Sequence, residues 1–447
     1  MIRRIIVALL RLAMRIYFRR VEVVGLEHVP LDTPVIFVLN HPNALVDPAV
    51  LLCRAPRQVS FLAKAPLFRM PVLGYFVREM DSLPIYRRQD EGEDVSKNQE
   101  TFVAARKLLA RGGTIGICPE GVSHDEPRLR PIKTGAARIA LGAVSTGEVV
   151  DLNIVPAGLY YTSKTKFRSS ALLYFGNPIG VTPVELEPDG NPPRAAVREL
   201  SSKVESALRS VILDAEHEEA LHTITRAEKI FSSEGVDSAN DSLAEELQLQ
   251  QRFIKAYAVL RQHAPERLRK LEVRMSRFEE ELIQAGVDPD DLSPPKSTLA
   301  VFKHLIPRVL LFVLLIVPAT LGAVIHYPAY QLGGYLATRI SKQYEDVIST
   351  VKIISAMLLF PVTWLVVMGV TWRLLDWKWA LAAAVAVPLA GFLAITFFEA
   401  IDSFMGGLRA LVFFLMRRRF FVRLLAERKA IRNEILALGE ETAILSQ

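Results

Sequence analysis

The sequence predicts an α/β domain with a mixed sheet, followed by a helical segment and then a C-terminal α-helical membrane domain. Three observations predict this. Short β-branched or apolar runs, Val35-Ile36-Phe37-Val38-Leu39 and Thr114-Ile115-Gly116-Ile117, end in polar turns and alternate with helical patterns. Residues 194–286 interleave charges with leucines and phenylalanines in a helical rhythm. Beyond them, residues 309–325, 353–372 and 379–398 are apolar stretches near the ~20 residues that a spanning helix needs. The 447-residue chain is 51% hydrophobic, an excess concentrated near the C-terminus, and its length allows two or three domains.

Along residues 1–20, Arg4, Arg11, Arg15 and Arg19 fall on one helical stripe, with Ile5, Val7, Leu9, Leu12, Ile16 and Tyr17 filling much of the rest. That pattern suits an amphipathic helix lying in an anionic membrane surface, and a core helix of the next domain is the plainer alternative. A signal peptide fits poorly, because the apolar run before Arg11 is short and no small-residue cleavage site follows. Residues 21–193 read as the catalytic domain. After the strand at Val35 come a helix near residues 48–53 and a short strand near 59–63. Ser96-Lys97-Asn98-Gln99 carries a capping-box signature for a helix that stops at Gly112-Gly113. A strand over 114–118, a small-residue helix over 133–143 and strands near 149–155 and 172–175 complete the domain.

Residues 194–297 read as a charged helical insertion and linker, with the linker itself at Asp288-Pro289-Asp290-Asp291-Leu292-Ser293-Pro294-Pro295. Residues 298–404 form the transmembrane region and 405–447 a basic amphipathic helix. Three simple crossings would put Lys303 and Arg308 on the opposite side from Arg417, Arg418 and Arg419, against the positive-inside rule. The expectation is therefore a re-entrant segment over 305–337, bent near Pro318 or Pro328, and true spans over 353–372 and 379–398. In that arrangement Arg373 and Lys378 lie outside.

Two turns carry the chemistry. Asn40-His41-Pro42-Asn43-Ala44-Leu45-Val46-Asp47 follows the first strand, and Cys118-Pro119-Glu120-Gly121-Val122-Ser123-His124-Asp125 the later one. A neutral imidazole takes a proton from an alcohol near pH 7, and a carboxylate on its other nitrogen fixes the tautomer and stabilises the imidazolium that forms. A histidine in a strand-end turn with an aspartate capping the next helix is the structural alternative for an isolated pair. The net charge of +6 is too mild to argue for nucleic acid, and no basic-aromatic module is visible. The two cysteines, Cys53 and Cys118, make neither a disulfide framework nor a metal-ligand cluster, which suits a reducing, cytosolic setting. Cys118 as an acyl-accepting thiolate is the weaker reading beside a small buried hydrophobe.

Together these segments resemble the glycerolipid acyltransferase family, with its Asn-His…Asp box, Arg box, Pro-Glu-Gly box and Val-Pro box. All four occur in order, the second as Ser82-Leu83-Pro84-Ile85-Tyr86-Arg87-Arg88 and the fourth as Ile154-Val155-Pro156-Ala157-Gly158, within residues 20–185. Five residues separate His41 from Asp47 where most of the family has four, and Cys118 stands where Phe is usual. That spacing, with Ser123-His124-Asp125 and Leu129-Arg130-Pro131-Ile132-Lys133-Thr134-Gly135, resembles the fungal glycerol-3-phosphate and dihydroxyacetone-phosphate acyltransferases.

The resemblance implies a membrane-bound O-acyltransferase acting in phosphatidic acid and phospholipid synthesis. His41, oriented by Asp47, would be the base on the sn-1 hydroxyl of glycerol 3-phosphate. Acyl-CoA or acyl carrier protein is the co-substrate, and no cofactor or metal is expected. Arg87 is implied as the phosphate ligand, with Arg88 its equal on charge alone and Lys133 a second cation. Glu120 and Gly121 are implied to position the glycerol backbone, Pro156 to belong to the binding region, and Asn40 with backbone N–H groups to stabilise the oxyanion. Ser123, His124 and Asp125 are consecutive and cannot converge as a triad; they read as a loop supporting the Pro-Glu-Gly turn. Lysophosphatidate is the alternative acceptor, and a silent membrane scaffold is disfavoured because His41, Asp47 and Glu120 are all present. The expected partners are these substrates and the lipid bilayer, with the catalytic domain on the cytoplasmic face.

Overall fold

The computed structural model describes residues 1–215, 218–232, 242–286, 292, 298–341 and 344–445. The chain divides into two units. The first comprises Met1–Glu216, Ser242–Leu247 and Ser341–Ile353, and the second comprises His217–Asp241, Gln248–Ile340 and Ile354–Gln447.

In the first unit the elements run α1 (Ile2–Tyr17), β1 (Arg20–Val24), β2 (Val35–Leu39), α2 (Val46–Arg54), β3 (Ser60–Lys64), α3 (Ala65–Arg69), α4 (Pro71–Glu79) and β4 (Leu83–Ile85). They continue with α5 (Asn98–Ala110), β5 (Thr114–Ile117), α6 (Gly135–Ser145), β6 (Asn153–Tyr161), β7 (Ser170–Phe175), β8 (Ile179–Gly180) and α7 (Arg194–Ser210). The eight strands form one mixed sheet in the order β1-β7-β6-β2-β5-β3-β4, with β8 beside β6. The run β6-β2-β5-β3-β4 is parallel throughout, while β7 and β8 are antiparallel to β6 and β7 is parallel to β1. Every residue of β2 is buried. Its apolar run lacks alternation because both faces of the sheet are covered, as expected for a central parallel strand.

On one face, Ile36 and Val38 of β2 join Ile115 and Ile117 of β5 and the inner sides of α5, α6 and α7 in a single core. Helix α7, expected in the charged insertion, belongs to this core. Val197, Leu200, Val204 and Leu208 recur at helical spacing and are buried, while polar positions dominate its composition. The end of α7 approaches so closely that a Cβ on Gly158 would lie 1.9 Å from the Val211 carbonyl oxygen, which fixes glycine there.

Other boundaries shift from expectation. The capping box does not form: Asp94 accepts from the Ser96 N–H at the head of a short 3₁₀ turn, and the Asn98 side chain bonds the backbone of Tyr86. Strand β6 starts at Asn153 and runs nine residues against five in β2, so it outreaches its neighbour. Short β1, β4 and β8, and the paired helices α3 and α4, have no periodic signal long enough to announce them. Helix α1 lies against α2, with Ile6, Met14 and Tyr17 buried, and leaves Ile2, Ile5, Leu9 and Leu12 exposed.

The remaining helices are α8 (Glu218–Ser232), α9 (Leu243–His263), α10 (Pro265–Ala285), α11 (Thr298–Ser341), α12 (Glu345–Leu374), α13 (Trp377–Met416) and α14 (Arg418–Leu445). The start of α9 belongs to the first unit: Leu243, Ala244 and Leu247 cluster with Leu172 of β7. In the second unit α8, α10 and α14 share a core in which Leu268, Leu271, Met275, Phe278 and Leu282 of α10 meet Phe421, Leu424, Ile431, Ile435 and Leu438 of α14. The α10 set follows alternating steps of three and four, and the α14 set does so once position 428 is counted, the rhythm of interdigitating helix seams. Arg428 takes one seam position of α14, buried, and donates to the carbonyls of Ile230 and Leu292 at 2.9 and 2.8 Å. The expected linker at 288–295 lies, Leu292 apart, outside the described residues.

Three helices among the described residues are long and apolar enough to cross a membrane: Val309–Ser341, Glu345–Leu374 and Trp377–Asp402. The re-entrant bend expected over 305–337 is absent. Helix α11 is continuous for 44 residues through Pro318 and Pro328. Breaking a helix within an apolar segment strands backbone groups where no water can satisfy them, a greater cost than the single N–H each proline removes. Gly322 lets α11 approach the backbone of Ala390, and His326 accepts from the Trp364 indole N–H at 2.8 Å while its Nδ1 bonds the Gly322 carbonyl at 2.7 Å.

If α7 is part of the catalytic core, Leu208→Ala should lower the stability of the first unit by ~2–5 kcal/mol, the usual cost of emptying a buried leucine site. Thermal inactivation of the purified protein measures it. A midpoint no different from that of the surface control Glu199→Ala would return α7 to a peripheral role.

Candidate active site

Strands β2 and β5 are parallel neighbours, with Val38 opposite Ile117, so the turns leaving their C-terminal ends lie side by side. This is where open α/β sheets place their ligands. The backbone N–H of His41 donates to Glu120 Oε1 at 3.0 Å, and the His41 carbonyl accepts from the His124 N–H at 3.2 Å. The second turn is thus tied to the first at the histidine itself.

His41 Nδ1 lies 2.9 Å from Asp47 Oδ2, in the first turn of α2. Asp47 is fully buried, and its carboxylate also accepts from the Asn43 N–H at 2.7 Å and from the Tyr161 hydroxyl at 2.7 Å. The extra residue between His41 and Asp47 is absorbed in a tight turn, with Ala44 at φ +38° and the Val46 N–H bonded to the Asn43 carbonyl. With Nδ1 committed to a carboxylate, the basic position is Nε2, and the ring keeps 20% exposure. Burial works against the imidazolium. The adjacent Cys118 and the Asp47 carboxylate outweigh it and hold the His41 pKa well above its usual 6.5. Burial first, and then the Asp47 charge, push the Tyr161 phenol well above 10, so it remains a donor.

Glu120 is a brace beneath the site. Its side chain is 1% exposed, and besides His41 it accepts from the Arg130 N–H at 2.9 Å and pairs with His124 Nε2. Three of its contacts thus join loop segments around the base. His124 plays the supporting part expected of the Ser123-His124-Asp125 loop.

Gly121 has φ +76°, and a Cβ there would lie 2.4 Å from Lys133 Nζ. Its carbonyl accepts from Arg87, whose Nε and second terminal nitrogen hold Asp90 in a bidentate pair at 2.8 and 2.6 Å. That pairing keeps the Asp90 carboxyl below its usual range. Burial and then the nearby Arg87 charge lower the Lys133 pKa, and Asp90 partly offsets them. Arg87, partly buried, and Lys133, exposed, thus form one basic cluster around Gly121. Arg88 is solvent-exposed, which separates two arginines that charge alone left equal.

Two further sequence candidates have other tasks here. The Asn40 carboxamide donates to the Leu159 carbonyl at 2.9 Å and accepts the Leu159 N–H at 2.8 Å, prolonging the β2–β6 ladder with a side chain. Pro156 is buried inside β6 opposite Val38, its ring against the open side of Gly176. Conversely, Tyr161 carries no sequence signal. It reaches Asp47 because β6 extends beyond the end of β2. Among the described residues, no three His, Cys, Asp or Glu side chains are grouped to hold a metal ion.

Residues 20–160 match the acyltransferase family, and residues 224–443 match the C-terminal domain of glycerol-3-phosphate acyltransferase 2. Glycerol-3-phosphate O-acyltransferase 2 of Saccharomyces cerevisiae is 29% identical over 59% of this chain and 37% of its own length. Glycerol-3-phosphate O-acyltransferase 1 of the same yeast is 26% identical over 55% of this chain and 43% of its own. An uncharacterized acyltransferase of Schizosaccharomyces pombe is 24% identical over 77% of this chain and 65% of its own. The chain thus spans less than two thirds of each of these relatives.

A base must be neutral to act, so activity should rise with pH through the raised His41 pKa, placing the acid limb of kcat/KM above 6.5. Asp47→Asn removes the charge that favours the imidazolium, and the limb should move to lower pH as the maximum falls. Tyr161→Phe takes a donor from Asp47, leaves its charge freer to act on His41, and should move the limb to higher pH. A pH profile of Tyr161→Phe superimposable on the parent's would make the tyrosine a packing residue.

Proposed function

Because the chain belongs to the acyltransferase family, we propose that it moves a fatty acyl group from acyl-CoA or acyl carrier protein to the sn-1 hydroxyl of glycerol 3-phosphate. The product enters phosphatidic acid and phospholipid synthesis. The observation that carries this reading is the His41–Asp47 pair held by Glu120 one residue from the Arg87–Lys133 cluster around Gly121. A base and an anion clamp on one turn suit a small phosphorylated alcohol. The match of residues 224–443 supports glycerol 3-phosphate over lysophosphatidate as that alcohol.

In this mechanism His41 Nε2 takes the hydroxyl proton as the oxygen attacks the thioester carbonyl. The imidazolium is stabilised by Asp47, the tetrahedral intermediate collapses with cleavage of the carbon–sulfur bond, and the leaving thiolate takes the proton back. Transfer is direct and forms no acyl-enzyme. Arg87 spends three N–H donors on Asp90 and Gly121, which leaves two of a guanidinium's five for phosphate oxygens. Asp90 fixes the plane of that fork, and Lys133 adds a second positive charge.

We also propose that the catalytic unit faces the cytoplasm, where acyl-CoA and glycerol 3-phosphate are made available. Three facts support this orientation. Residues Met1–Glu216 and Ser341–Ile353 both belong to the first unit, so in this reading both flanks of α11 stay on the cytoplasmic side and only α12 and α13 cross. Two successive crossings by α12 and α13 would return Arg417, Arg418 and Arg419 to the side on which α12 starts, and basic flanks resist translocation.

Purified protein assayed in parallel with glycerol 3-phosphate, dihydroxyacetone phosphate and lysophosphatidate should prefer the first, and preference for lysophosphatidate would make it an sn-2 acyltransferase. In the same assays Arg87→Ala should raise the acceptor KM by about 10- to 150-fold, the effect of a lost charge-assisted contact, with little change for the acyl donor. Arg88→Ala should do neither.

For topology, single cysteines at Glu345 and Asp376 on a background lacking Cys53 and Cys118 report through an impermeant maleimide. Asp376 should react in intact cells and Glu345 only after permeabilisation. The reverse pattern overturns this topology.

A further inference from the structure

Helix α1 presents three sectors when plotted at ~100° per residue. One is docked: Ile6, Met14 and Tyr17 are buried, and Arg3 donates to Asp81 Oδ2 at 2.8 Å and to the Val59 carbonyl at 2.8 Å. A second is apolar and turned away, with Ile2, Ile5, Leu9 and Leu12 exposed by 43 to 55%. Between them Arg4, Arg11 and Arg15 form a basic sector. The site proposed above uses none of these residues.

Where α1 ends, Arg15, Phe18, Arg19, Arg20, Val21 and Arg54 line a pocket of about 370 Å³. Four guanidiniums meet there. Arg20 pairs with Glu22 at 3.1 Å, but that carboxylate also accepts from the Ser242 hydroxyl and from the backbone N–H groups of Leu243 and Ala244 at the head of α9. Among the described residues no carboxylate is ion-paired with Arg15, Arg19 or Arg54. The pocket is strongly positive, with an apolar floor from Phe18 and Val21.

Its depth relative to a bilayer can be read from the same unit. Tyr17, between Arg15 and Arg19 in the chain, has its hydroxyl 2.7 Å from Ser349 Oγ in α12. Ser349 precedes by four residues the Ile353 that opens the apolar run of α12, a rise of about 6 Å. A lipid headgroup layer is roughly that thick on each side of the hydrocarbon core. Arginines at this level meet phosphates, for which their planar fork is suited.

We propose that this pocket binds the headgroup phosphate of an anionic phospholipid of the bilayer, with the Ile2, Ile5, Leu9 and Leu12 face of α1 set into the lipid beside it. The site is separate from the Arg87–Lys133 cluster and would hold the catalytic unit at a fixed height on the membrane.

The test uses the full chain in phosphatidylcholine nanodiscs doped with photoactivatable lipid bearing either a phosphatidylglycerol or a phosphatidylcholine headgroup, with crosslinked peptides mapped by mass spectrometry. The phosphatidylglycerol probe should label the segments around Val21 and Arg54 selectively. The triple variant Arg15→Gln, Arg19→Gln, Arg54→Gln should lose at least about tenfold of that labelling, given the usual contribution of each surface arginine. Should the variant fail to fold, labelling of the parent protein at rising salt replaces it, and a fall between 50 and 500 mM is expected. Equal labelling by both headgroups, labelling indifferent to salt, or persistence in a folded triple variant overturns the proposal. Displacement of the probe by free coenzyme A also overturns it, because the pocket would then serve the soluble donor.

Discussion

The buried carboxylate of Asp47 is the constraint on which the catalytic unit depends. A charge with no exposure to solvent is tolerable only when its oxygens are satisfied by donors. Here these come from three places: the His41 ring, the Asn43 backbone and the Tyr161 hydroxyl. They belong to the turn after β2 and to the far end of β6, while Asp47 itself opens α2. The carboxylate therefore requires the register of β2 on β6, the pitch of the intervening turn and the seat of α2 to agree. Losing any one donor would leave part of a charge unpaired in the protein interior, so orientation of the base and stability of the sheet edge are one requirement.

Glu120 performs the same service for the loops above. Its two oxygens join the His41 and Arg130 backbones and the His124 ring. Gly121, the next residue, passes its carbonyl to Arg87 and leaves room for Lys133. A single buried acid thereby transmits the position of the base to the cation cluster through one peptide unit. Within this turn glutamate fixes the loops, and glycine suits the positive φ of the residue that follows it.

Much of this was legible in the sequence, for physical reasons. Strands β2 and β5 are continuous apolar runs closed by turn residues, and the acid and base in those turns have few structural explanations when they occur together. The remainder depended on long-range packing. Tyr161 lies 114 residues from Asp47, and nothing local distinguishes it from a core aromatic. Arg87 and Arg88 are identical in charge, and only the direction of the chain after β4 turns one inward. Helix α7 looked like solvated insertion because its four buried positions are outnumbered by polar ones. The bend expected in α11 came from counting flanking charges, a weaker constraint than the need of every backbone group in an apolar segment for a partner.

The first unit is not contiguous in the chain: after residue 216 it takes back Ser242–Leu247 and then Ser341–Ile353. Lys164 shows what the last segment supplies, since its carbonyl is shared between the Asn43 carboxamide, two residues from the base, and the Ser349 hydroxyl of α12. During synthesis, therefore, the sheet can assemble as soon as β8 and α7 emerge, but the loop beside the base gains its final clamp only when residue 353 has left the ribosome. At ordinary elongation rates that is a delay on the order of ten seconds. Helix α11 is made within that interval. Completion of the site is thus ordered after synthesis of the first long apolar helix, and a nascent chain stalled before that point would hold a folded sheet with an unfinished site.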